Sequence, residues 1–230
     1  MDETVLPLAG VKIVELSTFI TGPYAGMLLA DMGADVIKVE RPDGGDPFRG
    51  YDFGNYSPQY RAYNRNKRSM TLKLGDPKAR EILLKLVADA DVVIENFRPG
   101  VTDKLEVGET ALRSANPTLI YCSITGFGHD GPYRDRPAYD TVAQGFGGLL
   151  GQFIDSDSPL IPGPALADST TGLYAALSVS NALVGRQRTG QGRRIDITMI
   201  EAITSFAAEP ISQFLATGSV PTPYKRATIS

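Results

Sequence analysis

Apolar positions along the chain fall into short runs separated by stretches of helical spacing. Val11-Lys12-Ile13-Val14-Glu15-Leu16 reads as a strand, closed by the turn residues Gly22-Pro23. Residues 24–30, small and apolar, follow as a helix that Gly33 stops, and Asp35-Val36-Ile37-Lys38-Val39 is a second strand. Strand, helix and strand within forty residues imply a parallel pair, because the crossover helix returns the chain to the same end of the sheet.

The pattern then repeats. Met70-Thr71-Leu72 is a brief strand, and Asp76-Pro77 supplies an N-cap and first-turn proline to a helix with Leu83, Leu86, Val87 and Ala90 on one face. Asp91-Val92-Val93-Ile94 is nearly continuous in apolar residues, as a strand covered on both faces should be, and residues 118–124 repeat it after a short helix over 110–114. A helix over 168–184, a turn at Thr189-Gly190-Gln191-Gly192, a strand over 195–199 and a helix from 201 to about 216 complete the order. The expected fold is α/β: a doubly wound, Rossmann-like, mostly parallel sheet in which residues 1–230 form one large domain, with ligands at the carboxyl ends of the strands near a topological switch. Residues 41–68 show no period and many Gly, Tyr, Asn and Arg, which predicts a functional excursion rather than a plain connector.

Composition narrows the function classes. The 230 residues are 42% hydrophobic and carry a net charge of −3, so no global field draws a nucleic acid. The opening MDETVLPLAG lacks a basic and then apolar leader, and no run approaches the ~18 apolar residues of a membrane span, so a cytoplasmic protein with no membrane contact is expected. One cysteine, Cys122, and one histidine, His129, leave no multi-Cys or paired-His metal site.

The carboxyl ends of the predicted strands gather cations and glycines. Arg41, Arg65, Lys67, Arg68, Arg98 and Lys104 lie on three such crests, a cluster that suits a local polyphosphate, although any one of them alone is more often a solvated charge. After the first strand stands Thr21-Gly22-Pro23 and no G-x-G-x-x-G, which disfavours a nicotinamide cofactor. Neither a phosphate-binding G-x-x-x-x-G-K-[ST] loop nor a G-x-S-x-G elbow with a histidine partner occurs.

Several segments in order resemble the class III CoA-transferase family, which includes formyl-CoA and carnitine CoA-transferases and 2-methylacyl-CoA racemases. They are Leu8-Ala9-Gly10-Val11-Lys12-Ile13-Val14-Glu15-Leu16 with Gly22-Pro23, the run 29–40, Asn64-Arg65-Asn66-Lys67-Arg68-Ser69, Glu95-Asn96-Phe97-Arg98-Pro99-Gly100, Gly126-Phe127-Gly128, Arg136-Pro137-Ala138-Tyr139-Asp140 and Thr189-Gly190-Gln191-Gly192. The resemblance implies that Asp168, in Ala167-Asp168-Ser169-Thr170-Thr171-Gly172, is the carboxylate that attacks an acyl-CoA thioester. By residue pattern Asp168 is also a helix N-cap, a place where a carboxylate with an ordinary pKa near ~3.9 stays ionised.

CoA would then move to a carboxylic acid acceptor by way of an aspartyl-acyl anhydride and an aspartyl-CoA thioester. Neither a permanently bound cofactor nor a metal is implied; CoA and acyl-CoA are substrates. The resemblance also implies CoA contacts at Phe19, Ile20, Thr21, Arg41, Leu72, Asn96, Phe97, Arg98 and Lys104, an interlocked homodimer, and a smaller second domain beyond residue 230. Where racemases of the family carry a His before an Asp, this chain has Tyr139-Asp140, and tyrosine is a poor base at neutral pH. Tyr139 is instead a candidate hydrogen-bond donor to the acyl carbonyl. Racemase, or a CoA-binding fragment without catalysis, are the alternative readings.

Overall fold

The computed structural model describes residues 6–51, 54, 56–154 and 163–220; the first half of the stretch read for a leader lies outside them. Six strands, β1 (Lys12–Glu15), β2 (Asp35–Glu40), β3 (Lys67–Thr71), β4 (Val92–Glu95), β5 (Ile120–Thr125) and β6 (Arg194–Thr198), form one sheet in the order β3-β2-β1-β4-β5-β6. Every pairing is parallel, with Ile13 opposite Val36 and Val92, Val92 opposite Ile120, and Tyr121 opposite Arg194. This is the order of a doubly wound sheet: the chain winds outward from β1 through β3, returns to the middle and winds the other way from β4. The loops that leave β1 and β4 therefore diverge, and a crevice opens between them.

Helices cover both faces, which is why the central strands are buried on both, their polar positions Glu15, Lys38, Glu95 and Ser123 included. On one face α1 (Thr21–Asp31) and α8 (Leu166–Thr189) bury Ala25, Leu29, Ala175 and Val179 against Ile13, Ile94, Ile120 and Cys122. On the other, α3 (Pro77–Ala88) and α5 (Glu109–Ala115) place Leu83, Val87 and Leu112 against Val14, Val93 and Tyr121. Each such aliphatic side chain contributes about 1.5–3 kcal/mol of burial. α1 and α8 pack closely because Gly172 has no side chain: a Cβ there would stand 2.6 Å from the Thr21 carbonyl oxygen. A third cluster, Ala143, Leu149, Ala167, Met199 and Ile203, joins α8 to α6 (Asp140–Phe146), α7 (Leu150–Phe153) and α9 (Met199–Thr204). Among the described residues no helix is long and apolar enough to cross a membrane.

Several expectations need correction. The excursion over 41–68 holds a 3-10 turn at Pro47–Gly50 and α2 (Pro58–Asn64), each opened by a capping side chain before a proline: Asp46 accepts from the Phe48 N–H, and Ser57 from the Tyr60 N–H. β3 begins at Lys67 rather than Met70 because it is an edge strand with polar residues, only two of its five positions being even partly buried. α1 starts at Thr21, so Gly22 and Pro23 sit in its first turn, where a missing N–H costs no helical bond. Residues 101–104 form α4 (Val101–Lys104) behind Gly100, whose φ of 81° suits glycine. The expected last helix is divided into α9, a 3-10 turn over Ser205–Ala207 and α10 (Ala208–Thr217), because the Pro210 ring clashes with the carbonyl four residues before it.

Candidate active site

The loops after β1, β4 and β5 border a cleft of about 550 Å³ lined by Thr18–Thr21, Asn96–Pro99, Ile124–Gly126, Arg134 and Arg136–Asp140, together with Asp168 and Met199. A second cleft of about 380 Å³ lies between the ends of β1 and β2, with Arg41, Leu72, Leu74 and Leu105, and shares Thr18 and Phe97 with the first. Of the sequence-predicted residues, Phe19, Ile20, Thr21, Asn96, Phe97, Arg98, Tyr139 and Asp168 line the large cleft, and Arg41, Leu72 and Phe97 the small one. Lys104 is exposed on α4 and lines neither.

The cation cluster is not a single patch. Arg65 pairs with Asp31 and Arg68 with Asp35, both at the amino-terminal end of the sheet, remote from the clefts. Lys67 turns inward and is buried. There Lys67 meets Glu15 at 2.8 Å, while Lys38 meets Glu15 at 2.9 Å and Asp46 at 3.0 Å, with all four side chains at most 2% exposed. Gly26 admits this group under α1, since a Cβ would collide with the Glu15 carboxylate. Burial pushes Glu15 up, yet Lys38 and Lys67 outweigh it and hold the carboxyl below its ordinary range.

This buried quartet holds the wall of the large cleft. Lys38 donates to the Ser17 carbonyl at 2.7 Å, and Asp46 accepts the Phe48 N–H at 2.9 Å and, more weakly, the Phe19 N–H at 3.4 Å. Phe19 has a φ of 64°, a strained left-handed conformation for an aromatic residue, and it remains 43% exposed to the cleft. Across the switch point Asn96 locks the same loop: its amide donates to the Thr18 carbonyl and Thr21 hydroxyl, and its oxygen accepts the Thr18 N–H at 2.9 Å.

Asp168 lies in the first turn of α8, not at its N-cap, which is Ala165. The cap comes from another helix: Asp140 Oδ1 accepts the N–H of Ala167 at 2.8 Å and of Asp168 at 3.2 Å, and the buried Gln144 amide holds Asp140 Oδ2. The carboxyl expected to stay readily ionised is instead shifted the other way. Burial first, and then the charge of Asp140, raise the Asp168 carboxyl to about 7. Two aspartates 28 residues apart in sequence leave no local pattern; only the adjacency of Tyr139-Asp140 to a predicted site residue could have flagged the pair.

Tyr139 stands at the N-cap position of α6, 66% exposed, and its hydroxyl makes no hydrogen bond among the described residues. His129 is elsewhere, its Nε2 2.8 Å from the Ser123 hydroxyl and 3.3 Å from Asp196, in neither cleft. Arg134 and Arg136, which sequence reasoning gave no role, add two guanidinium groups to the wall beside Tyr139.

A family model for CoA-transferase family III matches residues 8–229. The chain belongs to CoA-transferase family III. Family relatives include the succinate–glutarate CoA-transferase of Agrobacterium fabrum, 41% identical over 94% of this chain and 56% of that protein, and the acetyl-CoA:oxalate CoA-transferase of Acetobacter aceti, 37% identical over 94% and 56%. The human succinyl-CoA:glutarate CoA-transferase is 40% identical over 85% of this chain and 46% of its own. A CAIB/BAIF family protein from Brucella suis superposes with a TM-score of 0.91 at 42% identity, covering 96% of this chain and 60% of that one. The chain thus spans about half the length of these enzymes.

Proposed function

We propose that this protein moves CoA from an acyl-CoA thioester to a carboxylic acid, with Asp168 as the nucleophile. The observation that carries this reading is a carboxyl raised to about 7 that lines a cleft on the topological switch point. The ionised Asp168 oxygen attacks the thioester carbonyl, the C–S bond breaks and CoA leaves as a thiolate, a far better leaving group than an alkoxide. The thiolate then attacks the Asp168 carbonyl of the anhydride, releasing the donor acid and forming aspartyl-CoA. The acceptor carboxylate repeats the two steps in reverse, so bond energies nearly cancel over the cycle.

The small cleft, with Arg41 beside the Leu72 and Leu105 wall, suits the nucleotide end of CoA, and the shared Phe97 lies between it and the acyl site. Arg98, Arg134 and Arg136 are suited to carboxylates, and relatives are named for succinyl-CoA and dicarboxylic acids, so such acids are the first substrates to offer. Tyr139 in place of a histidine argues against α-proton removal, and its exposed hydroxyl in the cleft lining suits a hydrogen bond to the acyl carbonyl. The same reading includes an interlocked homodimer; Leu173, Leu177 and Val184 form an exposed apolar stripe on α8 that a second copy would cover.

The test is intact-mass analysis of the protein incubated with succinyl-CoA and trapped with hydroxylamine or borohydride. An adduct mapped to Asp168 and absent from Asp168→Ala is expected. A label at Asp140, or acceptor-independent deuterium incorporation at the α-carbon of a 2-methylacyl-CoA, would overturn the assignment.

A further inference from the structure

We infer that Asp140 is the positioning residue of the site: from α6 it caps the start of α8 across 28 residues of sequence and thereby fixes the direction in which the Asp168 carboxyl enters the cleft. The inference deepens the proposed function and rests on Asp168 being the reactive group. The first N–H groups of a helix have no partner within it, and here two of them, on Ala167 and Asp168, are taken by one oxygen of Asp140. The second oxygen is fixed by the Gln144 amide, and Gln144 is fully buried against the core that joins α6 to α8. The backbone that carries the nucleophile is thus tied to a neighbouring helix at two consecutive residues, and the rotamer of Asp168 is set from a fixed base.

The cap carries a charge, and that gives it a second consequence. An aspartate at this position adds an anion beside Asp168 where a neutral cap would add none, so the carboxyl holds its proton more tightly and, once ionised, is the more basic nucleophile. The other groups around Asp168 do not do this work. Tyr63 on α2 is within electrostatic reach and carries no charge at neutral pH, its own hydroxyl being pushed up by burial and then by Asp168. Arg98, Arg134 and Arg136 on the cleft wall are cationic and would act in the opposite direction, Tyr139 is exposed, and Glu201 at the head of α9 is tied to Thr198.

Two substitutions separate cap from charge. In Asp140→Asn the side-chain oxygen can still accept both N–H groups, and the new amide can donate to Gln144 Oε1, a buried oxygen without a hydrogen-bond partner, once the Gln144 amide turns over. Asp140→Ala removes both. The measurement is the titration of the Asp168 carboxyl by carbon-13 NMR of this chain, assigned by its absence in Asp168→Asn, together with the pH profile of adduct formation from succinyl-CoA. In Asp140→Asn the Asp168 midpoint should fall by about one pH unit, and the adduct should form within about threefold of the unaltered rate at pH 8. Asp140→Ala should lower the midpoint as well and slow adduct formation by at least about tenfold at every pH, a loss that Asp140→Asn rescues. An unchanged midpoint in Asp140→Asn, or equal adduct rates in the two variants, overturns the inference. Should Asp140→Ala fail to fold, the midpoint in Asp140→Asn decides alone. A shifted midpoint with adducts forming at a residue other than Asp168 would refute the proposed function while leaving the coupling of the two aspartates standing.

Discussion

Two carboxyl groups withdrawn from water within the same domain have opposite fates. Glu15, at the end of β1, is met by two lysines and is held below the usual carboxylate range against the push of burial. Asp168, on α8, is met by a second carboxylate and rises to about 7. Burial acts in the same direction on both, so the sign of the neighbouring charge decides the outcome. A carboxyl enclosed by cations is a structural rivet, whereas one beside an anion is poised between protonated and ionised forms at neutral pH, the condition that the proposed nucleophile requires. The rivet also supports the large cleft, since Lys38 holds the Ser17 carbonyl just before the cleft wall and Asp46 the N–H of Phe19, which lines it.

The strongest way to break the comparison is to remove the anion at the rivet. Glu15→Gln leaves Lys67 without a carboxylate and Lys38 with Asp46 alone, and a buried charge left without its partner costs about 3–5 kcal/mol. Chemical denaturation should show a loss of that size with an unchanged slope. Lys38→Met should cost more than Lys67→Met, because Lys38 answers two carboxylates and Lys67 one, and burial has already brought Lys67 down to about 8. A Glu15→Gln variant as stable as the parent would mean that the quartet is not an ionic network.

The corresponding change at Asp168 should have the opposite sign. The folded-state value of about 7 exceeds the ordinary 3.8, so the folded chain binds the proton more tightly and loses stability as pH rises from about 4 to about 7. Asp168→Asn has no proton to lose. Its advantage over the parent should therefore be absent at pH 4, grow to pH 7 and then level off, with about 4 kcal/mol as the upper bound. Paired thermal melts at pH 5 and pH 8 measure it; an advantage larger at pH 5 would show that the Asp168 carboxyl is not the proton-binding group.

The contrast between the carboxyls also marks how far the sequence could be read. The strands β1, β2, β4 and β5 are legible from short apolar runs such as Ile13-Val14, Val36-Ile37 and Val92-Val93-Ile94, and helix α3 because Asp76-Pro77 is a local start signal that the structure uses as expected. The same kind of signal, Ser57-Pro58, opens α2 inside the excursion. Asp168 is marked in the sequence by the family resemblance and lines the cleft, but its place in the first turn of α8 and its raised carboxyl follow from burial and from Asp140, which reaches it only through the tertiary fold. Lys67 is hidden for a similar reason: periodicity cannot tell a lysine that turns under α1 from one that faces a phosphate.

The smallest effect is expected where charge pairing happens in water. Arg65 and Asp31 form a bidentate pair, with Nε to Oδ1 at 3.1 Å, but the arginine side chain is 54% exposed. Both ions keep most of their hydration when the pair is broken, so neither an unpaired buried charge nor a large Coulomb energy is at stake. The pair also lies at the amino-terminal end of the sheet, outside both clefts. Arg65→Ala should accordingly leave the thermal midpoint and the affinity for CoA, measured by calorimetry, within experimental error of the parent, in low salt as in high. Weakened CoA binding in that variant would mean that the six cations first picked out together do act on one ligand, and that the division between buried rivet, reactive cleft and solvated surface is drawn in the wrong place.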